Sequence, residues 1–193
     1  RESMDEAGIV GPLRRLIDGL LEGVLLESDG STSTAFTRVL ARDLVRSTPG
    51  LPAQGMQALP DQLAARLVRD VELGTEVVEV GRRTVRTAGG EEIRADLVVV
   101  ATDPAAAARL TGREVPPGKG ITTHWYSVPE PPTDLAMITV DQRRERGPVV
   151  STAVMSNIAR SYAPVGRHLV QASSLLPAGA APVSDADVLR HVG

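Results

Sequence analysis

Hydrophobic positions in the first third of the chain recur at helical spacing. Residues 12–26 place leucine, isoleucine and valine side chains on one face, and Pro12 suits the first turn of a helix. Residues 31–34 offer Ser and Thr caps for a second helix, whose apolar face holds phenylalanine, valine and leucine. A third helix is predicted to open near Pro60. The side chains that it is expected to bury are Leu63, Ala64 and Leu67.

From residue 75 the hydrophobic period changes to two. The stretches "TEVVEV" and "RTVRT" alternate, as half-exposed antiparallel strands do. The run "LVVVA" at residues 97–101 is continuously apolar, which is typical of a strand buried on both faces of an α/β sheet. Asp103 then caps a short helix with Pro104 at its first position, and Gly112 closes it. We therefore expect a hairpin, a buried strand and a helix in this part of the chain.

Proline and glycine loops frame four strand candidates after residue 112. These are "ITTHWYSV", "LAMITV", "PVVSTAVMSNI" and "RHLVQASSLL", and they indicate an antiparallel sheet. Ser184, with Asp187 three residues later, marks the start of a last helix. The expected fold class is α+β: a helical segment plus an antiparallel sheet, with the hairpin and buried strand as an α/β part. Because the chain begins at Arg1 and ends soon after the last helix opens, we expect a piece of a longer protein.

Composition narrows the class of protein. With 193 residues and 42% hydrophobic content, the chain can bury a core. Aromatic residues make up only 2% and the net charge is -3, which leaves neither stacking surface nor a basic stripe for nucleic acid. No apolar run approaches the roughly 18 residues of a membrane helix. Cysteine is absent, which agrees with a cytoplasmic protein without disulfides. Lys119 is the only lysine, a usage that agrees with a bacterial protein.

Sequence motifs for several chemistries are missing. His124, His168 and His191 are dispersed along the chain and form no metal-binding motif. No Gly-x-Ser-x-Gly elbow supports a hydrolase, and no residue is assigned a catalytic role. Neither Gly-x-Gly-x-x-Gly nor a Walker loop occurs, so the glycines that seat a pyrophosphate on a helix N-terminus are absent from this sequence.

The middle of the chain resembles a known family. The run from "LPAQGMQALPDQLAARL" through "LGTEVVEVGRRTVRTAGGEEIRADLVVVATDPAAAARL" is similar to the interior of FAD-dependent amine oxidases and phytoene-desaturase-like oxidoreductases. The later "MSNIARSYAPVGRHLVQASSLL" resembles their substrate-domain sheet. The order of the elements carries the resemblance, from the Gly-Met-x-x-Leu-Pro loop to the "VVVATDP" strand end. The family's FAD fingerprint and its Gly-Asp segment beside the flavin do not occur in this sequence.

The resemblance implies cofactor contacts around the "TEVVEV" and "VVVAT" stretches. In the family, the strand after the Leu-Gly-Thr segment approaches the adenine with its backbone, which points to Val77. The end of "VVVAT" lies near the cofactor in relatives, which makes Ala101, Thr102 and Asp103 candidates at the carboxyl edge of a sheet. Helix capping is the competing explanation for Asp103.

Two further places are candidates for contact with cofactor or substrate. The loop at Gly55 and Met56 resembles one that passes close to the flavin in relatives, although Gln54 stands here where many of them have a glycine. His124, Trp125 and Tyr126 form the only dense aromatic and polar cluster. Because alternate residues of a strand point to opposite faces, only part of this cluster can line a pocket. His124 and Tyr126 are the substrate-binding candidates.

The resemblance implies an enzyme that transfers a hydride from a substrate C–H bond to FAD. Residues 1–70 and 113–193 would form the helical and sheet parts of a substrate-binding lobe, and residues 71–112 would belong to the FAD-binding lobe. We expect a small-molecule substrate of apolar character, FAD in the intact protein but not in this piece, no nucleic-acid or integral membrane partner, and a homo-oligomer. The alternative is a non-catalytic binding or interaction module derived from the substrate lobe.

Overall fold

The computed structural model contains helices and two antiparallel sheets, joined by loops. It describes residues 8, 10–25, 28–48, 50–115, 118–141, 143, 145, 147–177 and 179–192. The chain divides into two units, one of Arg1–Pro60 with Lys119–Gly193 and one of Asp61–Gly118. We call them the first unit and the second unit. Mixed helices and antiparallel sheets confirm the α+β class.

A four-stranded antiparallel sheet forms the centre of the first unit. Its strands are β4 (Gly120–Val128), β5 (Thr139–Val140), β6 (Val149–Val154) and β7 (His168–Leu176), in the spatial order β4-β7-β6-β5. The pairing of β4 with β7 is the longest, and it runs from Gly120 opposite Leu176 to Val128 opposite His168. The antiparallel sheet expected after residue 112 is therefore confirmed.

One face of this sheet carries the core. Val149 and Ala172 are buried on it against Val188, which lies on the last helix, α6 (Asp185–Val192). Ser184 caps that helix, because its Oγ accepts the Asp187 N–H at 3.2 Å and donates to the Asp187 carboxylate at 2.7 Å. The helix start expected from the Ser184 and Asp187 spacing is confirmed.

Two helices precede the sheet in the first unit. Helix α1 (Gly11–Leu25) packs against β5 and β6, and a Cβ at Gly23 would lie 3.7 Å from the Ser151 Cβ. At this distance a Cβ would make ordinary van der Waals contact, so the backbone of α1 lies directly against β6 at Gly23. Helix α2 (Thr34–Arg46) follows after Ser33. Both predicted helices are confirmed, but Phe36 on the predicted apolar face of α2 is largely exposed.

The second unit contains a smaller sheet and one capped helix. Strands β1 (Val77–Val80), β2 (Thr84–Thr87) and β3 (Glu92–Arg94) pair antiparallel in that order. Helix α4 (Pro104–Thr111) begins at Asp103, whose side chain accepts the Ala106 N–H at 3.0 Å. It ends at Gly112 in the left-handed conformation with φ 66°, as the sequence predicts.

Two expectations differ from the structure. Residues 97–101 form no ladder with another described strand, and Leu97 and Val99 are 76% and 73% exposed rather than buried. A continuous apolar run forms a buried strand only when partner strands lie on both sides of it. Residues 97–101 have no such partners among the described strands, because β3 ends at Arg94, before the run begins.

The third helix also differs. Helix α3 (Ala58–Ala64) begins near Pro60 as predicted, but Leu63 and Leu67 are each 57% exposed and Ala64 is exposed as well. The predicted burial of these side chains is wrong. Among the described residues, nothing covers the apolar side of this short helix.

Two short helical turns connect β6 to β7: α5 (Met155–Ile158) and a 3₁₀ turn (Arg160–Tyr162). In the part of the chain that the structure describes, no helix has the length and apolar character needed to cross a lipid bilayer. Nor do three or more potential metal ligands come together there.

Candidate functional site

A cavity of about 610 Å³ lies in the first unit on the sheet face opposite the α6 core. Trp125 of β4 stands opposite Gln171 of β7, which in turn stands opposite Ala153 of β6. Directly paired residues in a sheet project to the same face, so these three side chains form the floor of the cavity. The volume falls within the range of roughly 300 to 1,000 Å³ that holds small organic molecules.

The walls of the cavity come from segments outside the sheet. One wall is the segment between α2 and α3, and another is the segment before β5. Apolar side chains make up the wall before β5, Leu51 adds one from the other wall, and the α5 turn adds more. Thr123 of β4 also lies on the floor. The wall residues are Thr48, Gly50, Leu51, Ala136, Met137, Ile138, Met155 and Ile158. The site therefore combines a rigid sheet floor with apolar walls.

A short polar network crosses the cavity floor. The Gln171 side-chain nitrogen donates to Ser173 Oγ, and Ser173 Oγ lies 3.0 Å from Thr123 Oγ1. These hydroxyl groups and the amide are neutral at every ordinary pH. The network orients the Gln171 amide and gives an otherwise apolar cavity one place for a directed hydrogen bond.

The aromatic and polar cluster of β4 is divided between the two faces of the sheet. The His124 and Tyr126 rings stack with centroids 6.4 Å apart and an interplanar angle of 8°. Both reach Asp185 at the start of α6: the Tyr126 hydroxyl donates to it at 3.2 Å, and His124 Nε2 lies 3.6 Å away. Trp125 points the other way, into the cavity. Alternate residues of a strand face opposite sides of the sheet, so the sequence could have separated Trp125 from His124 and Tyr126 as a candidate of its own.

The environment of Tyr126 and His124 is partly desolvated. Burial raises the pKa of the Tyr126 phenol, and the hydrogen bond to Asp185 adds to the rise. His124 Nδ1 is buried and has no hydrogen-bond partner among the described residues. On this side of the sheet, His124 and Tyr126 connect β4 to α6. Contact of either residue with a substrate stays a prediction.

A second, polar cleft of about 200 Å³ lies at the β5 edge of the same sheet. Asp141 accepts hydrogen bonds there from Arg143 Nε at 3.0 Å and from the Gly147 N–H at 3.2 Å, and His191 Nε2 lies 3.3 Å from its carboxylate. The Arg143 guanidinium beside Asp141 holds the pKa of that carboxyl well below its usual range. These contacts fasten the segment after β5 to the end of α6.

The candidates for cofactor contact near the small sheet lie in the second unit. Val77 is the first residue of β1, an edge strand, and the ladder with β2 is irregular between Val77 and Glu79. Ala101, Thr102 and Asp103 precede α4, and all three are exposed. The Asp103 carboxylate accepts the Ala106 N–H, so it has the capping role that competes with cofactor contact.

The loop candidates lie in the first unit. Gly55 has φ 88°, a left-handed conformation that favours glycine, and its N–H donates to the Pro52 carbonyl at 3.0 Å. The Tyr162 hydroxyl donates to the same carbonyl at 3.1 Å and so fixes the loop to the turn before β7. Met56 is largely exposed. The sequence did not single out Tyr162, whose role depends on a contact across 110 positions.

The small sheet has an outer edge at β1. Its backbone groups could meet an adenine, which is the contact that the family resemblance implies for Val77. The N-terminus of α4 is capped by its own Asp103, and the sequence contains no Gly-x-Gly-x-x-Gly turn. The described residues thus include no glycine turn for a pyrophosphate, and contact of Val77 with FAD stays a prediction.

One protein family matches nearly the whole chain. Residues 3–192 match the family of flavin containing amine oxidoreductases. Because this match spans nearly all of the 193 residues, the chain is a member of the flavin-containing amine oxidoreductase family. The resemblance to FAD-dependent amine oxidases drawn from the "VVVATDP" region is thereby confirmed.

A solved structure also resembles part of this chain. The chain is similar to a crystal structure of a protein from Pyrococcus furiosus, with 22% sequence identity and a TM-score of 0.44. The alignment covers 53% of this chain and 29% of the other, so this chain spans less than a third of that protein's length. No protein of curated function matches the chain.

Proposed function

We propose that the chain is the substrate-binding part, with a flank of the cofactor site, of an enzyme that transfers a hydride from a substrate C–H bond to FAD. The membership in a flavin-containing oxidoreductase family supports the reaction class. The observation that carries the assignment to substrate binding is the apolar cavity on the sheet floor of Trp125, Gln171 and Ala153. FAD, when bound, supplies the electron-accepting chemistry.

The chain's own residues orient a substrate and exclude water. The apolar walls at Met137, Ile138 and Leu51 remove water from a ligand's surface. Gln171, held by Ser173, can fix one polar group of the ligand and so hold the rest of the molecule in one position. Neither step requires a charged side chain from the cavity lining.

The family resemblance supports two separate sets of candidates. In the second unit, Val77, Ala101, Thr102 and Asp103 are the candidates for contact with FAD. In the first unit, Gly55 and Met56 are the candidates for contact with flavin or substrate. We also propose a cytoplasmic location, which the absence of cysteine supports.

The test is to express the complete open reading frame that encodes this chain and to record its visible absorption spectrum. Bound flavin that is bleached anaerobically by a reducing substrate supports the proposal. Ile138→Trp, which fills the cavity from an exposed wall, should raise KM for that substrate without changing flavin content. Val165→Trp, at a fully exposed position outside the cavity, is the matched control.

A contrary result has a definite meaning. If the complete gene product purifies without flavin and does not reduce added FAD with any substrate, the hydride-transfer function is wrong. The non-catalytic binding module then becomes the better interpretation, since the cavity could still hold a ligand. An upstream Gly-x-Gly-x-x-Gly segment in the same reading frame would favour the enzyme.

A further inference from the structure

Two short turns carry the side chains that hold both walls of the cavity. We call residues 155–162, which contain α5 and the 3₁₀ turn, the connecting segment. The first wall is residues 50–57, between α2 and α3, and the second wall is residues 133–138, before β5. Neither wall belongs to a helix or strand of the described chain, so its backbone groups need partners outside a ladder.

Ser156 fastens the connecting segment to the sheet. Its side chain is buried, and its Oγ accepts the Leu169 N–H of β7 at 3.1 Å. Met155 also follows Val154, the last residue of β6, directly. Since β6 and β7 are the two inner strands of the sheet, the connecting segment has a fixed base.

Asn157 holds the second wall. Its Nδ2 donates to the Thr133 carbonyl at 2.8 Å and to the Leu135 carbonyl at 3.3 Å. The side-chain amide nitrogen carries two N–H groups, so both donors are used on one short stretch of backbone. Residues 136–138, which line the cavity, follow directly. The position of this apolar lining therefore depends on Asn157.

Tyr162 and Ser161 hold the first wall. The Tyr162 hydroxyl donates to the Pro52 carbonyl at 3.1 Å. The Ser161 hydroxyl donates to the next carbonyl along the chain, that of Ala53. Because a proline restricts the backbone of the residue before it, anchoring Pro52 also limits Leu51, which lines the cavity. The position of the first wall therefore depends on the 3₁₀ turn.

We propose, resting on the proposed function of the cavity, that Asn157 and Tyr162 are positioning residues, one for each wall, and that the connecting segment sets the width of the cavity. Within the described chain neither side chain lines the cavity, so each acts on a ligand only through the wall that it holds. Loss of either contact should displace one wall and leave the other in place, because the two sets of hydrogen bonds are separate. All of these residues lie in the first unit.

One methionine on each wall reports the position of that wall. Met56 lies in the first wall and Met137 in the second, and the chain has four methionines in all. Labelling the methionine methyl groups with carbon-13 gives each a signal of its own in the magnetic resonance spectrum, and Met56→Leu and Met137→Leu assign the two signals. A general loss of stability would change both signals together, whereas loss of one positioning contact changes one of them.

Tyr162→Phe tests the first wall, because it removes the hydroxyl and keeps the ring. We expect it to shift and sharpen the Met56 signal and to leave the Met137 signal unchanged, since the first wall alone loses a donor. Ser161→Ala, at an exposed position, should change the Met56 signal in the same direction. Thr111→Val is the matched control, since it removes a hydroxyl that donates to a carbonyl inside α4.

Asn157→Asp tests the second wall. It keeps the shape of the side chain and replaces the N–H donors with an oxygen that cannot donate to a carbonyl. It should shift and sharpen the Met137 signal and leave the Met56 signal unchanged. Gln62→Glu makes the same change from amide to carboxylate at an exposed position of the second unit, and it should leave the Met137 signal unchanged.

Trp125 gives a second readout, because it is the only tryptophan of the chain and lies on the cavity floor. A displaced wall opens the floor to solvent. Tyr162→Phe and Asn157→Asp should therefore each raise the constant for acrylamide quenching of the Trp125 emission, and the two control variants should leave it unchanged.

The outcomes separate this inference from the proposed function. If the Met56 and Met137 signals respond together or not at all, or if the quenching of Trp125 stays at the wild-type value, the inference is overturned. The flavin function is then still decided by the spectrum of the complete gene product. If the expected pattern appears while the gene product carries no flavin, the positioning roles stand and the hydride-transfer function fails.

Discussion

The Tyr126 hydroxyl donates a hydrogen bond to the Asp185 carboxylate at 3.2 Å, and this contact joins β4 to the first turn of α6. Burial of the phenol and the nearby negative charge both raise the pKa of Tyr126. Asp185→Asn removes the charge and should therefore lower the pKa of Tyr126.

The measurement is an ultraviolet titration in a Tyr162→Phe background, where Tyr126 is the only tyrosine left of the two. Asp187→Asn is a matched control, since it removes a carboxylate from the same helix that does not contact Tyr126. A Tyr126 titration that Asp185→Asn leaves unchanged would show that the contact is not formed in solution.

Val188 connects the last helix to the core. Its side chain is 0% exposed and packs against Val149 and Ala172. We expect Val188→Ala to lower the free energy of unfolding by about 2 to 3 kcal/mol, because it loses apolar burial and leaves a cavity. Leu189→Ala, one residue along and half exposed, should cost less than about 1 kcal/mol. Urea denaturation of both variants measures the difference, and equal costs would contradict the placement of α6.

Local signals in the sequence predicted the elements well where a few neighbouring residues decide the outcome. Capping residues at Asp103 and Ser184 form the hydrogen bonds that their positions predict, because those partners are only three residues away. The helical period of residues 12–26 likewise depends on spacing within the same segment. These features do not require knowledge of the rest of the fold.

Burial and the candidate site depend on partners distant in sequence, and there the predictions were weaker. The apolar run at residues 97–101 and the leucines at positions 63 and 67 have the composition of buried segments, yet they are exposed because nothing in the described chain covers them. Trp125 and Gln171 lie together on the cavity floor because of the register between β4 and β7. The hydrophobic period of a strand does not determine that register.

Ionisation of the Asp141 carboxyl makes the free energy of unfolding depend on pH. Its pKa is held below the ordinary value of 3.8 by the hydrogen bond from the Arg143 side chain, against the opposing effect of burial. A depressed folded pKa contributes stability that is complete above the unfolded value and is lost as pH falls toward the folded one. Asp141→Asn should therefore be less stable than the wild type at neutral pH and should lose less stability between about pH 4 and 2.

Urea denaturation at a series of pH values tests this dependence on acidity. Asp43→Asn, which changes an exposed carboxylate beside Arg42, is the control for general charge effects. If the Asp141→Asn and wild-type curves remain parallel down to the acidic end, the Arg143 contact does not stabilise the fold.

The segment of residues 97–101 is the feature most suited to self-association. Leu97 and Val99 are largely exposed and alternate with the half-buried Val98 and Val100, so a strand-like apolar face lies open to solvent. Since these residues form no ladder within the described chain, their backbone groups are also available to a second copy. Burying such side chains is worth roughly 1.5 to 3 kcal/mol each, which favours a homodimer or larger assembly.

We expect light scattering to give the mass of an oligomer for the wild type, and Val99→Lys to shift it to the monomer, because an ammonium group on this face cannot be buried against a second apolar copy. Val165→Lys, with the same charge at a fully exposed site of the first unit, should leave the oligomer intact. A monomeric wild type whose Val99 amide exchanges rapidly with solvent would contradict the prediction, because the apolar face would then stay wet without a partner.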